Sequence, residues 1–263
     1  LLQPTRPDRI GFAPHRLGTL TVGLEQRQAD PAQHPQHGHA VSGSSRHVFR
    51  WNKNGSTWSW QPIGAPAGDQ AYGYAISDQA RLAGKAKFTA GGPFHAYVTQ
   101  PYAWAFLGNE DLGTFGGLQS EAWDLNDESG TVGWAHNSSG LRRGFYIQIG
   151  GVSLQPVNEL PRLAGTTGNS YNSEAYGVNR FGQVVGKIQN DAGAWRAFFW
   201  KTPGPGTTLT DLTTMPLDGG QTPQSLGWTL TSAVAINDGG VIIGTGTKSG
   251  VSKAWILYPK CLE

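Results

Sequence analysis

Apolar and polar residues alternate along this chain in short runs, and the runs keep returning. Stretches such as Tyr72-Gly73-Tyr74-Ala75-Ile76 and Val184-Val185-Gly186-Lys187-Ile188 are short and rich in Gly and β-branched residues, which disfavours helix. A period of two, interrupted by Gly, Asn and Asp, predicts strands joined by turns. Most of the runs belong to one repeat. A small residue, any two residues, an aliphatic residue and then Asn or Ser open each copy, and an aliphatic-Gly pair closes it. The copies are Gly73 to Ser77 leading to Leu82-Ala83-Gly84, Ala122 to Asn126 leading to Val132-Gly133, Ala175 to Asn179 leading to Val184-Val185-Gly186, and Ala233 to Asn237 leading to Ile242-Ile243-Gly244. In all four the aliphatic residue stands eight positions before the glycine.

A triplet of basic, small and aromatic residues follows each copy: His95-Ala96-Tyr97, Arg143-Gly144-Phe145, Arg196-Ala197-Phe198 and Lys253-Ala254-Trp255. An earlier triplet, His47-Val48-Phe49, follows Val41-Ser42-Gly43 and makes a fifth unit with Gly43 as its reference glycine. Each unit predicts four strands. An Asn-Asp turn, as in Asn237-Asp238-Gly239, joins the first to the second. The third carries the triplet, and the fourth precedes a Gly-rich loop such as Asp111 to Gly117. Four strands in roughly 40–50 residues is the pattern of a propeller blade.

The expected fold is therefore all-β: a five-bladed β-propeller of four-stranded blades, one domain over 1–263. Its repeats fall at about 24–63, 71–113, 120–163, 173–215 and 231–258. Arg16-Leu17-Gly18-Thr19-Leu20 parallels Asp111-Leu112-Gly113-Thr114-Phe115, so residues 10–20 are expected to supply the outer strand that closes the last blade. A six-bladed ring, its first blade built largely from residues 1–40, is the alternative.

The repeats resemble the HAF repeats of bacterial extracellular proteins, named for a His-Ala-Phe triplet. That family's Asp-Leu-Gly-Thr-Leu-Gly-Gly, Ser-x-Ala-x-x-Ile-Asn and Gly-x-Val-Val-Gly segments match Asp111 to Gly117, Ser120 to Asn126 and Gly182 to Gly186. The resemblance spans about residues 15–258 and implies secretion without implying any one activity. No triplet here is literally His-Ala-Phe.

Composition narrows the field. With 38 Gly, 16 Pro and only 14% charged residues, the chain suits neither a helical bundle nor a coiled coil. An aromatic content of 11% argues against disorder. No apolar run reaches the length of a membrane helix, about 18 residues. The net charge of +2, without a basic run, gives no reason to expect nucleic acid as a partner. Cys261 stands alone, so no internal disulfide framework exists. The start at Leu1-Leu2 fits a removed signal peptide, and Leu262-Glu263 resembles a cloning scar. A secreted monomer is expected.

Three chemistries compete. The residue preceding the first strand's small residue is Tyr72, Glu121, Glu174 or Ser232, placing two carboxylates on adjacent blades at one channel mouth. With Asp124 they could form the acid/base pair of a hydrolase or lyase acting on extracellular polysaccharide. Alternatively they cap loops or pair with Arg142, Arg143 or Arg196. Tyr72, Trp123, Tyr176, Trp134 and His136 are the candidate contact set of a module that binds glycan or another polar ligand, because aromatic rings complement sugar C–H faces. Trp58 and Trp60 share a side of one strand, while Trp51, Trp200 and Trp255 are expected in the core. His34, His37 and His39 have the spacing of a zinc or copper site, in a segment that reads as a surface insertion away from the two glutamates. The basic residues His47, His95, Arg143, Arg196 and Lys253 either form a cationic ring for anions or pair with the turn residues Asp78, Asp127 and Asp238. No nucleophile elbow, P-loop or paired-cysteine zinc motif occurs.

Overall fold

The computed structural model describes residues 36–42, 45–54, 56–128, 130–148, 153–201 and 206–259. The alternating runs become strands, and no α-helix occurs among the described residues. Five antiparallel sheets follow one another along the chain, and within each the strands lie side by side in sequence order. Sheet 1 holds β1 (Gln36–Ser42), β2 (Ser45–Asn54) and β3 (Thr57–Gly64). Sheet 2 holds β4 (Ala71–Ile76), β5 (Leu82–Lys87), β6 (Phe94–Val98) and β7 (Asp111–Gly113). Sheet 3 is β8 (Gly116–Leu125), β9 (Gly130–Asn137) and β10 (Arg142–Gln148), with a single bridge from Phe145 to Glu159 where a fourth strand would lie. Sheet 4 is β11 (Ser173–Val178), β12 (Val184–Gln189), β13 (Trp195–Trp200) and β14 (Thr210–Asp211). Sheet 5 is β15 (Trp228–Ile236), β16 (Ile242–Lys248) and β17 (Val251–Leu257). No helix of the described residues is long and apolar enough to cross a membrane.

The repeat has a physical cause. In sheets 2 to 5 the first strand bulges at the same point, beside Gly73, Ala122, Ala175 and Ala233. The repeat glycine of the second strand faces that bulge. A Cβ added at Gly84, Gly133, Gly186 or Gly244 would collide with the carbonyl oxygen of Tyr72, Glu121, Glu174 or Ser232. Directly across the third strand sits the triplet aromatic: Tyr97, Phe145, Phe198 or Trp255. These rings then reach into the preceding sheet. Tyr97 packs with Val48 and Ile63, Phe145 with Ala83 and Ala96, Phe198 with Val132, and Trp255 with Val185 and Ala197. Each buried ring contributes roughly 1.5–3 kcal/mol. The core is thus four clusters, one between each pair of consecutive sheets.

Polar residues of the repeat staple the sheets. The Asn126 amide donates to the Asn179 carbonyl at 2.8 Å, and the Asn179 amide donates to the Asn237 carbonyl at 3.2 Å. Their other ends cap their own turns, accepting from Gly130, Gln183 and Val241. Ser120 accepts from the Ala96 N–H and Ser173 from the Gly144 N–H, each across a sheet boundary at 2.8 Å.

Sheet 1 corrects the expected register. Phe49 lies opposite Gly38, as Tyr97 lies opposite Gly84, so Gly38 and not Gly43 is the reference glycine. Gly43 itself lies outside the described residues. Strands β1, β2 and β3 therefore stand where the second, third and fourth strands of the other sheets stand. Among the described residues sheet 1 has no first strand and sheet 5 no fourth. The closing strand expected at residues 10–20 lies outside the described residues. Residues 36–42 are a paired strand, so His37 and His39 occupy a sheet and not a surface insertion.

Candidate functional site

Four first strands, β4, β8, β11 and β15, pack in succession. Alternate residues of a strand share a face, and here they place Tyr72, Glu121, Glu174 and Ser232 in one row. Tyr74, Trp123, Tyr176 and Val234 form a second row beside it. Tyr74 stacks on Trp123 with centroids 4.9 Å apart and planes 12° from parallel. Trp123 meets Tyr176 edge-on at 6.1 Å. Tyr72 extends the row to Phe94 at 5.6 Å. The four rings from Tyr72 to Tyr176 are half-buried.

Cations thread this band. Lys85 and Lys187 each follow a repeat glycine, and that register points them at the first strand. Lys85 donates to Glu121 at 2.7 Å and lies 5.2 Å from the Tyr72 ring centre. Arg142 donates to Glu174 at 2.9 Å, Lys187 lies 3.4 Å from the same carboxylate, and the Tyr176 hydroxyl donates to it as well. Lys187 also sits 4.5 Å from the Trp195 ring, and the Arg46 guanidinium lies 4.9 Å over Tyr72.

The two predicted glutamates do stand on neighbouring first strands, each tied to a cation of the preceding sheet. Burial opposes ionisation of Glu174, but the hydrogen bonds from Tyr176 and Arg142 and the charge of Lys187 outweigh it and hold the carboxyl below its usual range. Burial and the same carboxylate push the Tyr176 hydroxyl far up. Burial also opposes the charge of Lys85, yet Glu121 and Tyr74 win and keep the ammonium protonated above its ordinary value.

Other candidates fall elsewhere. Asp124 is buried and accepts from the Leu125 and Val178 N–H groups at 2.9 Å, so it links sheet 3 to sheet 4. Trp134 stands in β9, buried beneath the Arg142 guanidinium at 4.3 Å, with His136 beside it at 4.9 Å. Burial and the nearby Arg142 lower the His136 pKa. Trp200 and Trp255 are buried as expected, and Trp58 and Trp60 are exposed. Three of the triplet bases pair, though not with the turn aspartates. His95 contacts Asp111 at 3.0 Å, Arg143 lies 3.4 Å from Glu159 and Arg196 lies 3.5 Å from Asp211. The reason is adjacency: the fourth strand runs beside the third, whereas the turn lies at the far end of the first.

His34 and the side chains of His37 and His39 lie outside the described residues. Among the described residues no three His, Cys, Asp or Glu side chains converge on a metal position. The backbone of His39 pairs with Val48 as Lys85 pairs with Ala96 and Lys187 with Ala197. His39 thus occupies the backbone register of the two lysines.

Sequence reasoning passed over Lys85, Lys187 and Tyr74. A signal for them existed: two lysines directly after the repeat glycine, and an aromatic at the position of Trp123 and Tyr176. No protein-family model matches the chain, and no curated protein matches it either.

Proposed function

We propose that the five sheets are the blades of one propeller ring and that the aromatic–cationic band on its first strands is a ligand-binding surface. The ring is supported by an exposed apolar position on sheet 5 and an aromatic face on sheet 1, in which Phe49 is already buried. In sheet 4 Val185 and Ala197 are covered by sheet 5, with Val185 at 0% exposure. Their equivalents in sheet 5 are Ile243 and Ala254, and Ile243 is 45% exposed. Sheet 1 carries the converse face, in which Phe49 and Trp51 lie across the strands from Pro62 and Trp60. Closing five sheets would bring these faces together. The first strands then surround a central axis and the band lies at its mouth.

The chain acts there as an extracellular module that binds glycan or a similar polar ligand. The observation that carries this is the continuous row Tyr72, Tyr74, Trp123 and Tyr176, edged by fixed charges that can donate to and accept from hydroxyls. Trp123 Nε1 is buried with no partner among the described residues, leaving a donor within the row. The paired, ionised state of Glu174 suits a hydroxyl acceptor better than a proton donor. The likeness to HAF repeats supports the extracellular setting.

A saccharide array, followed by titration of tryptophan fluorescence, tests the proposal. Trp123→Ala is expected to lose most of the affinity while the β-sheet circular dichroism stays intact. Absence of binding to every saccharide would overturn it, and release of reducing ends from a bound saccharide would move the assignment to an enzyme.

A further inference from the structure

We infer that the ligand of this band is a uronate-bearing oligosaccharide, a carbohydrate whose rings carry carboxylates. The inference rests on the binding reading above and adds the charge of the ligand. Around the row stand four cations, Arg46, Lys85, Arg142 and Lys187, and two carboxylates, Glu121 and Glu174. Glu121 is satisfied by one lysine at 2.7 Å. Glu174 is shared by Arg142 and Lys187, so one positive charge at that end exceeds what the carboxylate neutralises. At the other end Arg46 lies over the Tyr72 ring, and no carboxylate pairs with it among the described residues. Surplus charge thus sits at both ends of an aromatic row, where a negative ligand would be held.

The guanidinium of Arg142 is well placed for this. It lies across the Trp134 ring, which orients its plane, and its side chain is 47% exposed, so part of its fork faces solvent. A planar guanidinium engages a carboxylate through two parallel hydrogen bonds. The glutamates argue for a sugar acid over a single-stranded nucleic acid. Two carboxylates within the band repel a continuous phosphate chain, whereas they accept hydrogen bonds from the hydroxyls of a saccharide. The near-parallel stacking of Tyr74 on Trp123 also leaves those facing ring surfaces closed to intercalating bases.

The experiment uses the full chain and five probes in calorimetric titration: galacturonate oligomers, mannuronate oligomers, the methyl ester of each, and a deoxythymidine oligomer. Esterification keeps the sugar rings and replaces each carboxylate by a neutral methyl ester. At least one acid form is expected to bind, to weaken as salt is raised, and to exceed its ester by about tenfold or more. Lys187→Gln is expected to reduce the acid-to-ester ratio several-fold, because it removes one of the surplus charges at the Glu174 end. Equal affinity for acid and ester would overturn the inference, as would a preference for neutral saccharides, and in both cases the binding reading survives. Tighter binding of the deoxythymidine oligomer would also overturn it. Failure of every saccharide, charged or neutral, would remove the binding reading itself.

Discussion

Glycine at 84, 133, 186 and 244 is required by contact and not by torsion. Each faces a bulged carbonyl, and Gly84, Gly186 and Gly244 also meet an aromatic ring, so a methyl group has no room. Gly186→Ala is therefore expected to cost roughly 1–3 kcal/mol, the range for overpacked sites. Urea denaturation checks it, and an unchanged midpoint would show that the bulge yields. Titration adds a second residue-scale test. The hydrogen bond to Asp111 raises the His95 pKa above its ordinary value, so the imidazolium form stabilises the fold. That contribution is complete below the unfolded histidine value, about 6.5, and is lost as pH rises through the higher folded value. His95→Gln should thus melt below the parent protein near pH 5 and converge with it near pH 9 (pH values roughly chosen to bracket the transition). A gap of equal size at both pH values would count against the pair.

At the scale of the element, the strand–turn–strand unit is held by an asparagine that performs two tasks. Asn179 caps its own turn through Gln183 and donates to Asn237 of the next sheet. Asn190 also caps a turn, accepting from Ala192 and Ala194, but it stays within sheet 4. Asn179→Ala should cost about 1–2 kcal/mol, because it leaves two part-buried donors and an acceptor without their partner, and Asn190→Ala about 1 kcal/mol or less. Equal losses in thermal melts would show that the contact between sheets adds nothing. The same scale explains an error of register. Val41-Ser42-Gly43 satisfies the aliphatic-to-glycine pattern as text, yet the pairing of Phe49 with Gly38 decides which glycine is the structural one. Short motifs in Gly-rich chains match by chance, whereas hydrogen-bond register does not.

For the whole molecule, the matter is how the two terminal sheets are covered. Ile243 occupies the position at which Val185 is buried, yet it is itself exposed, and in the proposed ring sheet 1 would cover it. Ile243→Arg should then lower stability by about 3 kcal/mol, the scale of an unpaired buried charge, at every protein concentration and without change of oligomeric state. An unaltered melting temperature would mean the face is bare in solution. A loss that grows on dilution would mean a second copy covers it.

The sequence alone determined the all-β class, the repeat, its turns and its core aromatics. These are local properties: a period of two, a glycine eight positions after an aliphatic residue, an asparagine at a turn. It also placed Tyr72, Glu121, Glu174 and Ser232 at one equivalent position, because equivalent positions of a repeat become neighbours when the units stack. What those residues touch was decided only by tertiary structure. Lys85, Arg142 and Lys187 come from other strands and turn two apparent catalytic carboxylates into ion pairs, while Asp124 and Trp134 are drawn into contacts between sheets. A side chain's charge partner lies tens of residues away in the chain and a few ångströms away in space, and no periodicity records that distance.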